Sequence, residues 1–317
     1  GCSSPRKCGT HASLMSKWML TRTLRAVASF VTTSRRMASV ESGFEGQLRR
    51  CLLEGQRQRG VHTLVHDGHV DTTESHLQEI AQDRLHEGGM GVVYSAHDPE
   101  LDRRVAIKLL IPRGDEAKRS VGRARLIREA QALAKISHPN VVEIYGAGID
   151  EGRVWLAMEL VEGRTLKEWA AENPPGTEAQ RDAAVDLLRQ AAAGLSAAHA
   201  RGMTHRDFKP ANAMVTDAGV KVLDFGLART SDDATGRAGT PRYMAPEQHA
   251  GEAVDARCDQ FALAVALYEA LFGQHPFDDG DPLAVAIGIQ TRAPRSPKPG
   301  HGVPTKITAA LEHAMAR

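Results

Sequence analysis

Two acids and an amide carry the clearest chemistry in this sequence. Asp207 and Asn212 lie in the run HRDFKPAN at residues 205–212, and Asp224 opens the triplet DFG at residues 224–226. The carboxylate of Asp207 can accept a proton from an attacking hydroxyl. The oxygens of Asn212 and Asp224 are hard ligands, which suit Mg²⁺ and not a soft metal. A base beside two such ligands fits phosphoryl transfer, where catalysis is mostly positioning and charge neutralisation.

Two segments upstream supply what such a centre needs around it. Residues 88–94 read GGMGVVY, a glycine-rich turn that runs into a strand. Glycines let the backbone lie close over phosphates, with amide N–H groups as donors. The next predicted strand, at residues 104–108, ends in Lys108. Lys108 could be a solvated edge-strand lysine, but its spacing from the turn argues against that interpretation.

These segments together resemble the protein kinase family. The family motifs H-R-D-x-x-x-x-N, D-F-G, V-A-I-K and A-P-E match residues 205–212, 224–226, 105–108 and 245–247. Residues 88–94 and 244–248 are similar to the bacterial eukaryotic-like (Hanks-type) serine/threonine kinases. The resemblance covers residues 87–317. It implies an α+β, two-lobed fold, with a small β-rich lobe that carries one helix, a larger helical lobe, and ATP in the cleft.

The resemblance also implies roles for the catalytic residues. Asp207 accepts the proton of the substrate hydroxyl, and Lys209 lies against the transferring phosphate. Lys108 holds the α- and β-phosphates, and Glu129 is its ion-pair partner. The two oxygen ligands named above hold the Mg²⁺ ions that bridge the phosphates.

A nucleotide site follows from the same resemblance. Its expected members are Gly88, Gly89, Gly91, Val93, Ala106, Lys108, Met158, Glu159, Val161 and Met214. Adenine would bond to backbone groups of Glu159 and Val161, with Met158 as gatekeeper, although plain core packing also explains the apolar members. His86 stands where the family places its first glycine. We therefore expect weaker or altered ATP binding, and not its loss.

Regulation is expected in the segment at residues 227–244. A phosphate there can order a loop against an arginine, for which Arg206 is the candidate. Thr235 is the predicted phosphosite, reached by trans-autophosphorylation between self-associating chains. Thr240 is expected to contact the catalytic loop, and Asp259 to anchor that loop. Glu247 is expected to lack its arginine partner, because the larger lobe would end at residue 317 without its last helices.

Periodicity predicts the main elements. Residues 115–136 and 178–201 read as helices, and residues 141–145 and 154–158 as strands around a turn. The first strand of the family is the exception. Apolar residues at 77–85 fall at helical spacing, so we expect either a poor strand or a different start to the fold.

Composition bounds the remaining possibilities. The formal charge of +1 and an aromatic content of 4% argue against a nucleic-acid-binding protein. The four cysteines form no C-x-x-C pair, which favours reduced thiols in the cytoplasm. No uncharged apolar run is long enough to cross a bilayer. Residues 1–76 read as an extension, basic and Ser/Arg-rich and then His-rich. For the basic part we prefer a disordered tail over a transit peptide. For the His-rich part we prefer a solvated linker over a metal site.

The sequence therefore predicts a kinase domain at residues 77–317, with lobes at about 77–162 and 163–317. It would transfer the γ-phosphate of Mg-ATP to Ser/Thr hydroxyls of protein substrates in signalling. Two alternatives remain, a nucleotide-binding pseudokinase or scaffold and an unstable kinase fragment. His86, the poor first strand and the expected lack of the last C-terminal helices motivate the pseudokinase alternative.

Overall fold

The computed structural model describes residues 81–88, 91–98, 101–110, 116–150, 153–225, 241–277, 280–297 and 301–316. The N-terminal extension with its His-rich patch, and the predicted sites at Gly89, Thr235 and Thr240, lie outside these residues.

The smaller lobe is an antiparallel sheet with one helix. Its strands are β1 (Ala81–Gly88), β2 (Gly91–Asp98), β3 (Arg103–Leu110), β4 (Ile144–Asp150) and β5 (Arg153–Glu159), in the order β1-β2-β3-β5-β4. Helix α1 (Glu116–Leu133) packs on β4 and β5. The predicted helix at residues 115–136 is confirmed, and the first of the two predicted strands begins three residues later than expected.

Of the two alternatives expected for residues 77–85, the structure shows the poor strand over the part that it describes. Residues 81–88 form β1, which pairs with β2 from Ala81↔Ala96 to Gly88↔Gly91, with two register shifts. Backbone pairing to β2 decides the conformation. Because β1 is an edge strand, it does not need the alternation of apolar residues that a half-buried strand shows.

The larger lobe combines helices with a small sheet. The helices are α2 (Leu166–Glu172), α3 (Glu178–His199), α4 (Pro246–Ala250), α5 (Arg257–Phe272), α6 (Pro282–Thr291) and α7 (Thr305–Ala314). The sheet consists of β6 (Arg164–Thr165), β7 (Ala213–Thr216) and β8 (Gly219–Val222). Together the two lobes form the predicted α+β, two-lobed fold.

Local sequence explains the long helix that precedes the catalytic loop. Thr177 and Gln180 form a capping box, in which each side chain bonds to the other residue's backbone N–H. The helix then buries an alanine- and leucine-rich face against α5. Eleven of the sixteen residues of α5 are buried, so α5 is the core around which this lobe packs.

One hydrophobic core continues from the smaller lobe into the larger one. It runs from Leu110 on β3 and Leu133 on α1 to Leu195 on α3 and Ile307 on α7. No helix within the described ranges is both long and apolar enough to cross a membrane.

Candidate active site

A single buried carboxylate holds the loop that carries Asp207. Asp259, in the first turn of α5, accepts hydrogen bonds from the backbone N–H groups of His205 and Arg206, both at 2.7 Å. It also accepts one from the ring Nε2 of His199, at 2.7 Å. Burial would raise the pKa of Asp259, but its hydrogen bond with His199 and the charge of that ring lower it overall. These contacts agree with the predicted role of Asp259 as the anchor of the loop.

His205 joins this loop to the segment that carries Asp224. Its ring Nε2 donates to the carbonyl oxygen of Leu223 at 2.8 Å, while Nδ1 accepts from the N–H of Asp207 at 3.3 Å. The ring also packs against Phe225, with centroids 4.8 Å apart. A displacement of the catalytic loop would therefore displace the segment that carries Asp224, because the His205 ring contacts both.

The backbone at both segments takes an uncommon conformation. Arg206 has a φ of 64° and Asp224 a φ of 55°. Residues other than glycine rarely adopt positive φ, and where they do so the surrounding contacts hold them there. Such strain is concentrated at functional sites, and here it brackets the predicted catalytic residues.

The loop gathers three of the predicted side chains. The Nζ of Lys209 lies 3.1 Å from Oδ2 of Asp207, whose side chain is 9% exposed. The Nδ2 group of Asn212 donates to the backbone carbonyl of Asp207 at 2.8 Å. This bond fixes the amide of Asn212 and leaves its Oδ1 as the ligand atom for a cation.

Lys108 reaches into the same site from β3. Its Nζ lies 2.7 Å from Oδ1 of Asp224, and the residue is 6% exposed. Loss of solvent would raise the pKa of Asp224, but the Lys108 ammonium overrides this and lowers it. Asp224 is thus held as a carboxylate, the form that can bind a cation.

The predicted ion pair between Lys108 and Glu129 is wrong for this structure. Oε1 of Glu129 lies 2.9 Å from the Nε of Arg125, one turn earlier on α1. The ammonium of Lys108 is paired with Asp224 instead. The reason is local, because Arg125 reaches Glu129 without any movement of the helix.

A cleft of about 2020 Å³ draws its walls from both lobes and continues over the larger lobe as far as Tyr243, Glu269 and Arg295. Among its lining residues are most of those predicted for nucleotide and catalysis, namely Gly91, Val93, Ala106, Lys108, Met158, Glu159, Val161, Asp207, Lys209, Asn212, Met214 and Asp224. Glu129 and Arg206 are not among them, and Gly88 pairs with Gly91 where β1 meets β2. A side chain at Gly91 would collide with the Leu109 carbonyl, since a Cβ there would lie 1.9 Å from that oxygen.

The cleft also contains residues that sequence reasoning did not single out as binding residues. Leu85, Leu160 and Leu223 line it, and His86 does so from β1. Leu223 could have been found from its place between a strand and Asp224. Leu85 was missed because its segment was read at helical spacing, whereas the glycine turn would have predicted a hairpin strand.

Comparison with known proteins agrees with this geometry. The protein kinase domain family matches residues 81–298. The serine/threonine-protein kinase Pkn1 of Myxococcus xanthus is 38% identical over 245 residues, which are 74% of this chain and 34% of Pkn1. PknB of Mycobacterium leprae is 36% identical over 260 residues, 78% of this chain and 41% of PknB. PknD of Mycobacterium tuberculosis is 38% identical over 239 residues, 74% of this chain and 35% of PknD.

The matched region therefore spans between a third and about two-fifths of the length of these relatives. The family match at residues 81–298 includes every residue of the site described above, from Leu85 on β1 to Asp259 on α5. The chain belongs to the protein kinase family.

Proposed function

We propose that the chain is an ATP-dependent protein kinase that phosphorylates serine and threonine hydroxyls. The observation that carries the proposal is the convergence of Asp207, Lys209, Asn212, Asp224 and Lys108 in one cleft. Each of these side chains has a partner that fixes its position. The relatives named above are serine/threonine-protein kinases, and the substrate class is taken from them.

The cleft fits a nucleotide with magnesium. Apolar side chains of Val93, Ala106 and Met214 line the part expected to hold the base. Lys108 supplies a buried positive charge suited to phosphate oxygens. Oδ1 of Asn212 and the carboxylate of Asp224 form an oxygen donor set of the kind that Mg²⁺ prefers. When bound, the metal would neutralise charge on the phosphates.

The chain's own residues would then act on the substrate hydroxyl. Asp207 receives the hydroxyl proton at Oδ2 or Oδ1, and general-base help of this kind is worth about 10²–10⁴-fold. Lys209, whose Nζ is already 3.1 Å from Oδ2 of Asp207, lies beside the attacked phosphate. His205 and Asp259 keep the loop in its strained conformation during the reaction.

Autophosphorylation between two associated chains, with Thr235 as acceptor, belongs to the same proposal. Arg206 is the proposed partner of the resulting phosphate. A cytoplasmic location stays a prediction that rests on the cysteine pattern.

A test is the transfer of labelled γ-phosphate from Mg-ATP to a generic basic protein. We expect transfer by the wild-type chain and a loss of at least about 10²-fold in Asp207→Ala. Equal transfer by both proteins would refute the proposal.

A second candidate, a nucleotide-binding pseudokinase or scaffold, is favoured by one observation. Lys108 is engaged by Asp224, and Glu129 by Arg125, so the expected ion pair of an assembled site is absent between these residues. Mg-ATP would then raise the melting temperature of the chain without any phosphate transfer.

A further inference from the structure

Three segments of the chain meet at the carboxylate of Glu159, the last residue of β5. Nζ of Lys221 lies 2.7 Å from Oε2 of Glu159. The backbone N–H of Glu143 donates to the same oxygen, at 3.3 Å. The N–H of Glu159 in turn donates to the carbonyl of Glu143, at 2.9 Å. Glu159 is therefore held by its backbone and its side chain together.

Two of these segments belong to the smaller lobe and the third belongs to the larger lobe. Glu143 immediately precedes β4, and Glu159 ends β5, so both lie at one end of the sheet of the smaller lobe. Lys221 lies on β8 in the larger lobe. The ion pair between Lys221 and Glu159 is therefore a side-chain link across the two lobes.

This link adds to a backbone seam at the same place. The N–H of Val142 donates to the carbonyl of Val222, and the N–H of Val222 donates to the carbonyl of Asn140, both at 3.0 Å. Lys221 is next to Val222, so its ion pair lies beside these backbone bonds and ties Glu159, where the connection between the lobes begins, to β8. Its side chain is 22% exposed and that of Glu159 is 24% exposed, which shields the pair from much of the solvent.

Glu159 lines the cleft together with the next two residues, Leu160 and Val161, whereas Lys221 does not. Lys221 can therefore influence a bound ligand only through Glu159 or through its charge at a distance. A backbone segment that is fixed before binding loses less conformational freedom on binding, which improves affinity.

We propose that Lys221 is a positioning residue for the nucleotide. Its ion pair with Glu159 holds the connecting segment at residues 159–161 against the larger lobe, in the conformation that receives the base. This inference rests on the proposed function, because it takes ATP as the ligand of the cleft. It adds a residue outside the cleft to those that determine nucleotide affinity.

The test measures the dissociation constant of a non-hydrolysable ATP analogue with Mg²⁺ by calorimetry, on the full chain. In Lys221→Gln we expect a rise of about fivefold, the factor that corresponds to about 1 kcal/mol for such a pair. Glu159→Gln should weaken binding by a similar factor. The charge swap Lys221→Glu with Glu159→Lys should restore most of the affinity, and the double glutamine variant should be no weaker than either single variant.

Glu159→Gln separates the ion pair from a general effect of charge. If only long-range electrostatics mattered, removal of the Glu159 charge would reduce its repulsion of the anionic ligand and tighten binding. The proposed link predicts weaker binding instead. Lys306→Gln, on the exposed surface of α7, is the matched control and should bind as the wild type does. Melting temperatures of the ligand-free proteins verify that each variant is folded.

The outcomes are distinguishable from those of the proposed function. An unchanged dissociation constant in Lys221→Gln, tighter binding by Glu159→Gln, or a charge swap as weak as the single variants would each overturn the inference. Such results would leave the kinase proposal standing, provided that the wild type binds the analogue. A wild-type chain that binds no nucleotide would refute both.

Discussion

Lys108 pairs with Asp224 in the structure, whereas the proposed reaction calls for a pair with Glu129. In the structure its Nζ is 2.7 Å from Asp224, while Glu129 is held 2.9 Å from Arg125. Asp224 is also the proposed ligand of a cation, so its pairing with Lys108 occupies an oxygen that the metal would use. A move of Glu129 to Lys108 would release that oxygen. Arg125 therefore opposes the arrangement that the proposed reaction needs.

Arg125→Gln is expected to raise the rate of phosphate transfer. The variant frees Glu129 to reach Lys108, and the gain should be about twofold, the factor that corresponds to about 0.5 kcal/mol for a helical i,i+4 pair. The measurement is kcat/KM for ATP with a fixed protein substrate. Arg128→Gln, on the same helix, is the control, since Arg128 bonds to the Ala124 carbonyl and not to Glu129.

A gain of equal size in Arg128→Gln, or a loss of activity in Arg125→Gln, would contradict this prediction. Adding Glu129→Gln to Arg125→Gln should remove the gain.

At the scale of residues, the sequence predicted the catalytic loop but not the ion-pair partner of Glu129. Asp207, Lys209 and Asn212 fall within six residues, so one turn of backbone brings them together once the loop forms. The partner of Glu129 depends on a competition between Arg125, four residues away in the sequence, and Lys108 on another element. Spacing along the chain does not decide such a competition.

Among the elements, α5 acts on the site through Asp259, which anchors the catalytic loop without lining the cleft. Asp259 in its first turn holds the backbone of His205 and Arg206 and the ring of His199 at the end of α3. The buried helix, the buried carboxylate of Asp259 and the strained loop are thus connected directly. Loss of the carboxylate would leave two backbone N–H groups and an imidazole without their acceptor.

Asp259→Asn is expected to lower the free energy of unfolding by about 3–5 kcal/mol at pH 7, the range for a buried charge partner that is removed. The folded-state pKa of Asp259 lies below its ordinary value of 3.8. Its contribution is therefore fully present above that value and is lost as the pH falls below it. Urea unfolding at pH 7 and at about pH 3 should show a gap between wild type and variant that narrows in acid. Equal stability at pH 7, or a gap that does not narrow, would disprove the assignment.

The elements themselves were predicted where their signals are local. The capping box of Thr177 and Gln180 marks the start of α3, and the apolar residues at residues 115–136 mark α1. Val141 was assigned to the strand that became β4, but it pairs with Val222 of the larger lobe. The strand β1 was only one of two alternatives that the sequence left open. In both cases the deciding partner is a backbone distant in the sequence or in an adjacent strand, which periodicity does not reveal.

In the whole molecule, the cleft draws its walls from both lobes and the core runs beneath it. Val93 and Ala106 come from the smaller lobe, while Met214 and Asp224 come from the larger. A ligand in the cleft therefore contacts both lobes and should stabilise them together. Unfolding of either lobe would destroy the site.

Mg-ATP at about 100 times its dissociation constant should stabilise the fold by about 2.7 kcal/mol. For a domain of this size that is a rise in melting temperature of about 5–10 °C. Removal of Mg²⁺ with a chelator should reduce the rise, because the phosphates would face Asp224 without a cation. In Asp224→Asn, the rise should no longer depend on Mg²⁺. Thermal unfolding measures the rise in melting temperature in the wild type and in the variant. A rise that is independent of Mg²⁺ in the wild type would count against Asp224 as a ligand.

The most direct test of the kinase proposal is the incorporation of labelled γ-phosphate from Mg-ATP into the purified chain itself, followed by identification of the labelled residues. The proposal predicts label on serine or threonine in the wild type and none in Asp207→Ala. An unlabelled wild-type chain that still binds the nucleotide, or equal labelling of Asp207→Ala, would contradict it.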